Sequence, residues 1–161
     1  FPAFALGAGE GSQNTLKRPP RDPGKPIVTR QIWTAIVMHS LVISAATFGS
    51  FMLAQTHLGL VAKEAVTVSF FTLAFAQLWH VFNMRDPRSG WFFNEITRNK
   101  FVWIALIVSS ALLMLALFLP VVAQPLELEH LSAEAWMLVA GMSLVPLVIG
   151  QVTKAISRLR H

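Results

Sequence analysis

No cysteine occurs among the 161 residues, which excludes disulfides, thiolate metal sites and thiol chemistry together. Charge is scarce as well. Asp, Glu, Lys and Arg make up 13% of the chain, against about a quarter in an ordinary soluble domain. Aspartate occurs only at Asp22 and Asp86, each directly before a proline. The apolar residues, 54% of the total, are not interleaved at a period of two or of 3.6 but come in blocks. Block length is the test for membrane segments. Crossing a hydrocarbon core about 30 Å thick takes about 20 mostly apolar residues at a helical rise of about 1.5 Å each.

Four blocks meet that test. Residues 32–54 (IWTAIVMHSLVISAATFGSFMLA) carry no charge, nor do 65–83 (AVTVSFFTLAFAQLWHVFN), a block that could open one turn earlier. Residues 101–123 (FVWIALIVSSALLMLALFLPVVA) and 135–153 (AWMLVAGMSLVPLVIGQVT) are likewise uncharged. The expected fold is all-α: an integral-membrane, antiparallel four-helix bundle with spans at about 31–54, 65–83, 101–123 and 135–153. A length of 161 residues fits one such domain, residues 31–161, preceded by a separate segment, 1–30. The Phe1–Leu6 run is short and has no basic leader, so a signal peptide is not expected.

A formal net charge of +5 raises the question of nucleic acid, but the placement of the bases answers it differently. Lys17, Arg18, Arg21, Lys25 and Arg30 precede the first block; Arg85, Arg88, Arg98 and Lys100 lie between the second and third; Lys154, Arg158 and Arg160 follow the fourth. Lys63 alone falls in the other two connections, and the loop 124–134 carries Glu127, Glu129 and Glu134 without a base. The positive-inside rule then puts both termini in the cytoplasm. No stacking platform of aromatic residues accompanies the bases, so nucleic acid is not an expected partner; the lipid bilayer is. The segment Thr15–Ile27 combines four of these bases with Pro19, Pro20, Pro23 and Pro26. Proline fixes φ and pushes its predecessor out of the helical region, so an extended spacer is expected before the first span. A disordered basic leader fits the same residues. Thr29 is placed to cap a helix starting at Arg30–Gln31.

Polar residues inside a span are costly unless they face a partner. In the second span Ser69, Thr72, Gln77, His80 and Asn83 fall on one arc of about 140°, at about 100° per residue. Two readings of that arc stay open. Gln and His are either interhelical hydrogen-bond glue or, as Gln77 with His80 and Asn83, donors to a cation on its path. No Asp or Glu lies in any span, so this chain alone cannot neutralise a buried divalent cation. In the first span the pairs Ser40/Ser44, Ala45/Gly49 and Ala46/Ser50 have small-residue spacing that permits close helix contact, and His39 is read as an interior or interfacial histidine. Gly141, Pro146 and Gly150 mark a kink in the fourth span, and Trp33, Trp91, Trp103 and Trp136 sit near span ends as interfacial belts do.

Several motifs resemble one family. LKRPPRDPGKPIVTR, residues 16–30, resembles the cytosolic connection between the sixth and seventh membrane helices of P-type cation-transporting ATPases. SFFTLAFAQLWHVFNMR, 69–85, is similar to their eighth helix, and 125–158 to their ninth-to-tenth loop and tenth helix. FPAFALGAGEGSQNTLKR resembles the exit from the sixth helix, and the calcium-pump-like branch is the most similar. The resemblance implies a C-terminal membrane domain, the seventh to tenth helices, supporting the ion-translocating helices before it in a bacterial plasma membrane. The implied partners are the remaining helices and cytosolic domains of the pump. ATP with magnesium and a transported cation would be used by the parent protein, and no cofactor is expected in this segment. In the family's two-site calcium pumps a carboxylate ligand stands at the position matching Gln77, so the amide here implies a one-site pump or an altered ion. His80 falls where relatives place Asn or Asp, and Gln151 where a glutamate is common. The family's phosphorylated Asp-Lys-Thr-Gly motif is absent from these residues, which are therefore not expected to hydrolyse ATP by themselves. A non-enzymatic four-helix scaffold or regulator that stands alone is the other reading.

The sidedness of the bases is directly testable. A cysteine introduced by Ser89→Cys is expected to react with an impermeant thiol reagent only from the cytosolic side, and one introduced by Ser132→Cys only from the opposite side. Labelling of the first from outside would overturn the topology.

Overall fold

In the computed structural model, residues 2–8, 28–84 and 94–159 are described. The Pro-rich spacer expected at Thr15–Ile27, and residues 85–93 with Trp91, lie outside the described residues. The described chain is helical: α1 (Pro2–Gly7), α2 (Arg30–Thr56), α3 (Ala62–Trp79) continuing as a 3-10 turn over His80–Met84, α4 (Lys100–Phe118), α5 (Pro120–Ala123) and α6 (Ala133–Leu159). The helices α2, α3 with its 3-10 turn, α4 and α6 are each long and apolar enough to cross a membrane.

Their ends follow from local chemistry. Thr29 is extended, and its hydroxyl accepts from the Ile32 amide at 3.4 Å, the cap expected from sequence. After α2 the chain reverses in five residues, with Gly59 at φ +63, a left-handed conformation open to glycine. The His57 and Leu58 amides close back onto the Leu53 carbonyl, and that of Leu60 onto Ala54. Glu64 reaches back to the Val61 amide at 3.2 Å and closes the first turn of α3, one turn earlier than residue 65. Asn99 caps α4 by accepting from the Phe101 amide at 2.9 Å, while its side-chain nitrogen donates to the Ala5 carbonyl at 2.8 Å. One amide thus starts α4 and ties α1 to it.

The third span differs from the expected 101–123. Helix α4 stops at Phe118; Leu119 is extended (φ −92, ψ 109), and Pro120 opens the separate one-turn α5. Proline disfavours helical geometry in the residue before it, which places the break at Leu119. The fourth helix is longer than 135–153 and runs as one helix through Pro146.

Helix α3 is the hub, in contact with α2, α6 and α4, and α2 and α6 also pack on each other. Its buried side chains feed two apolar clusters. Ala65, Val68 and Phe71 meet Ala54, Leu117, Ala135 and Val139 at one end of the bundle, and Leu78 and Val81 meet Ala5, Ile96, Val102, Ala105 and Leu106 at the other. Phe71 packs against Trp136 at 5.0 Å between ring centroids. Only part of the small-residue pattern of α2 serves helix packing. Ala46, Ser50 and Ala54 are buried in one i, i+4, i+8 row, and Gly49 lies against the Met142 methyl, whereas Ser40, Ser44 and Ala45 are exposed. The far sides of α2, α4 and α6 present Ile36, Leu41, Phe48, Ile107, Phe118 and Val148, an apolar exterior suited to lipid.

The loop between α5 and α6 is also fixed to α3. The buried Thr67 hydroxyl donates to the Lys63 carbonyl at 3.0 Å and accepts from the Glu129 amide at 3.0 Å. Lys63 and Glu127 lie 3.7 Å apart as an exposed pair, worth no more than about 1 kcal/mol.

At the other end, α3 and α6 approach at a single glycine. A Cβ on Gly150 would lie 2.7 Å from Cγ and 2.8 Å from Oδ1 of Asn83, both inside van der Waals contact, whereas one on Gly141 would meet nothing within 4 Å. Gly150→Ala is therefore expected to destabilise the protein by about 1–3 kcal/mol through overpacking. Gly141→Ala should be neutral or stabilising by up to about 1 kcal/mol through helix propensity. Thermal melting of both variants in detergent checks the pair, and equal melting temperatures would refute the close contact.

Candidate functional site

The polar residues of the second span do not share one environment. Thr72 is buried among the helices, and its hydroxyl has no partner among the described residues. Ser69 is half-buried and its hydroxyl donates to the carbonyl of Val66, its own helix, at 2.8 Å. Gln77, His80 and Asn83 each face something different. A helical wheel groups them on a broad arc, but a four-helix bundle covers only part of that arc.

Asn83 is 5% exposed and belongs to α6 as much as to α3. Its side-chain nitrogen donates to the Pro146 carbonyl at 3.3 Å, and its Oδ1 accepts from Gln151 Nε2 at 3.0 Å. The same Gln151 nitrogen reaches the Phe82 carbonyl at 3.2 Å, and Lys154 Nζ donates to the Asn83 carbonyl. The tightening of α3 into a 3-10 turn delivers these carbonyls to α6. Their orphan oxygens, which a helix end leaves unpaired, are met by an amide and an ammonium, and a positive charge suits that end of the helix. Asn83 thus acts as the centre of a clamp between two helices. Gln151, noted from sequence for its position, and Lys154, counted there only as a tail charge, are its partners. Their spacing of three residues on one helical face was the available signal.

His80 is half-buried, with its ring edge-on to that of His39, 4.9 Å between centroids and 63° between planes. His39 Nδ1 is 2.7 Å from the Ala35 carbonyl one turn earlier in α2. Sequence alone gave no reason to join the two histidines, since the join depends on the register of α2 against α3.

Gln77 is exposed, and its side chain makes no hydrogen bond to a described residue. It lies on a stripe of α3 with Val66 and Leu73, exposed at 46% and 37%. The helices present leave this stripe uncovered. An amide there, well inside a membrane span, is costly against lipid and cheap against another protein surface. Among the described residues, no group of three or more His, Cys, Asp or Glu side chains gathers to hold a metal ion. The chemistry on offer is therefore amide, imidazole and carbonyl, since the carboxylates of the spans, Glu64 and Glu134, lie in the first turns of α3 and α6.

Residues 1–156 match the family described as cation transporting ATPase, C-terminus. The chain is 33% identical over 150 residues to a calcium-transporting ATPase of Bacillus subtilis (strain 168), covering 91% of this chain and 16% of that protein. It is 25% identical over 168 residues to calcium-transporting ATPase 1 of Bacillus cereus (96% of this chain, 19% of the relative). With calcium-transporting ATPase type 2C member 2 of Mus musculus the identity is 23% over 153 residues (95% and 16%). The chain thus spans 16% to 19% of the length of these relatives. Nothing in these likenesses favours a scaffold that stands alone. Four membrane-spanning helices, matched almost from end to end, make this chain a member of the cation-transporting ATPase C-terminal domain family.

Proposed function

We propose that this chain is the C-terminal membrane domain of a P-type pump that transports calcium or a similar cation, and that the Gln77 stripe of α3 faces the helices that carry the ion. The observation that carries the reading is the uncovered amide. Gln77 lies on an apolar stripe, within a span, with no partner among the described residues, while Asn83 two turns away has its side-chain nitrogen, side-chain oxygen and carbonyl all engaged. Burial of Gln77 against further helices of the same pump removes the cost of leaving it in lipid, and gives its carbonyl oxygen a cation to serve. The names of the relatives support calcium as cargo. The parent pump would use ATP with magnesium in cytosolic domains, and the carboxylates of its ion site would come from its other helices.

The charge distribution supports cytoplasmic termini, and the Bacillus relatives support a bacterial plasma membrane. Within such a pump the domain's own part is mechanical support and one side of the cation path. His80, turned towards α2, and Asn83, turned towards α6, would border that path from behind Gln77 rather than enclose an ion with it.

In the full-length pump, Gln77→Leu removes the amide at similar volume. Loss of one ligand or ordering group of this kind is expected to cost about 1–3 kcal/mol, or roughly tenfold to a hundredfold in apparent calcium affinity, with expression and folding retained. Gln77→Glu should retain or strengthen calcium-dependent ATP hydrolysis, since a carboxylate suits a hard cation. If Gln77→Leu lowers only the melting temperature and leaves calcium affinity unchanged, the residue is structural glue and the reading fails.

A further inference from the structure

Beside the contact that Asn99 makes between α1 and α4, the two helices enclose a groove of about 260 Å³. Its floor is made of Ala5 and Ala105, both buried, and its walls of Phe4, Phe101, Ile104 and Val108, all exposed. Ala8, just past the end of α1, lines its rim. The slot follows from the sequence. Alanine stands on both helices where they meet, and larger apolar side chains flank each alanine. The Asn99 side chain, donating to the Ala5 carbonyl at 2.8 Å, holds the helices in this register.

Depth and charge narrow the occupant. Val108 lies eight residues after Lys100. At about 1.5 Å per residue the groove reaches about 12 Å into the membrane from the start of α4, less than half of a core about 30 Å thick. A lining without polar side chains suits hydrocarbon. At the mouth Arg98 and Lys100 are exposed, and neither forms an ion pair with a described residue. Lys100 stands one turn before Ile104 on the same face, and the positive end of the α4 dipole adds to its charge. Glu95, the carboxylate nearest in sequence, is half-buried and engaged elsewhere. Two bases above an apolar slot match an amphiphile with a negative head, and a bilayer supplies one. We propose that the α1–α4 groove holds one acyl chain of an anionic phospholipid, whose phosphate is met by Arg98 and Lys100. A zwitterionic lipid has the same chain but brings its own positive group to these bases, and a soluble anion has no chain for the slot. The site uses neither Gln77 nor a transported ion, so it stands or falls apart from the calcium reading.

The test uses the full-length protein that carries this domain, in phosphatidylcholine nanodiscs with a small fraction of phosphatidylglycerol bearing a diazirine on one acyl chain. On photolysis, label is expected at residues 4–8 and 101–108 in excess over the other exposed apolar positions of α2, α4 and α6. Unlabelled phosphatidylglycerol should compete, and neither phosphatidylcholine nor soluble glycerol phosphate should. Arg98→Gln and Lys100→Gln together should weaken the labelling at least about tenfold. Ala8→Trp, which fills the slot from the α1 side, should remove label from 101–108 with both bases in place. Both variants should keep the melting temperature of the unmodified protein in phosphatidylcholine alone. Equal labelling of the groove by a phosphatidylcholine probe of the same chain would overturn the proposal. Label spread evenly over the apolar exterior would overturn it too, as bulk lipid only, and so would an unlabelled groove, filled by other helices of the protein. Labelling lost in the double glutamine variant but kept in Ala8→Trp would leave a charged surface without a chain site, and the proposal fails there as well.

Discussion

Hydrocarbon offers no hydrogen-bond partner, so every polar group carried into it must find one within the protein. Much of the local design of this domain follows from that constraint. Thr34, Thr47 and Thr56 return their hydroxyls to carbonyls four residues earlier on the same helix. Ser50, Ser143 and Thr153 do so at a spacing of three. These residues need nothing from a neighbour. Asn83 and Gln151 are placed where another element supplies the partner, and Thr67 adds to its own return bond to Lys63 an acceptance from the Glu129 amide. Among the groups without a partner in the described residues, the Gln77 amide faces out of the bundle, and the Thr72 hydroxyl and one nitrogen each of His39 and His80 are shielded within it.

How much of this was legible in the sequence follows from the same physics. Uncharged blocks of spanning length gave the helices, because a bilayer admits little else, and Thr29 gave the start of the first. The stop at Leu119 was signalled by Pro120 but concealed by unbroken apolarity, since VVA after the proline is as hydrophobic as the helix before it. Helix facing was harder to read. In water, polarity separates the outside of a helix from its inside; in a membrane both sides are apolar, and Ser40 and Ser44 have the same spacing as Ala46 and Ser50 with a different fate. The wheel grouped Gln77 with Asn83 by angle. Only the placement of α6 shows that one is covered and the other is not.

Family membership and local geometry support each other at α3. Its contacts with α2, α4 and α6 make it the hub, and yet the stripe through Val66, Leu73 and Gln77 stays open. A central helix with an uncovered side fits a domain that spans less than a fifth of its relatives' length. The exposed positions Ile36, Val37, Leu41 and Phe48 of α2 are, by contrast, apolar and suit lipid.

The packing of Ala65 and Phe71 on Ala135 and Trp136 at one end of α3 and the Asn83 clamp at the other have a joint mechanical effect. A helix pair held at one point can scissor about it. A pair held at both ends of a membrane span cannot, because rotation that relaxes one junction stretches the other. Helices α3 and α6 therefore form a strut, free to tilt in the bilayer as a unit but not to change their crossing angle. Force applied to the Gln77 side of α3 is passed to α6 along its whole length, which turns a pair of slender rods into a beam.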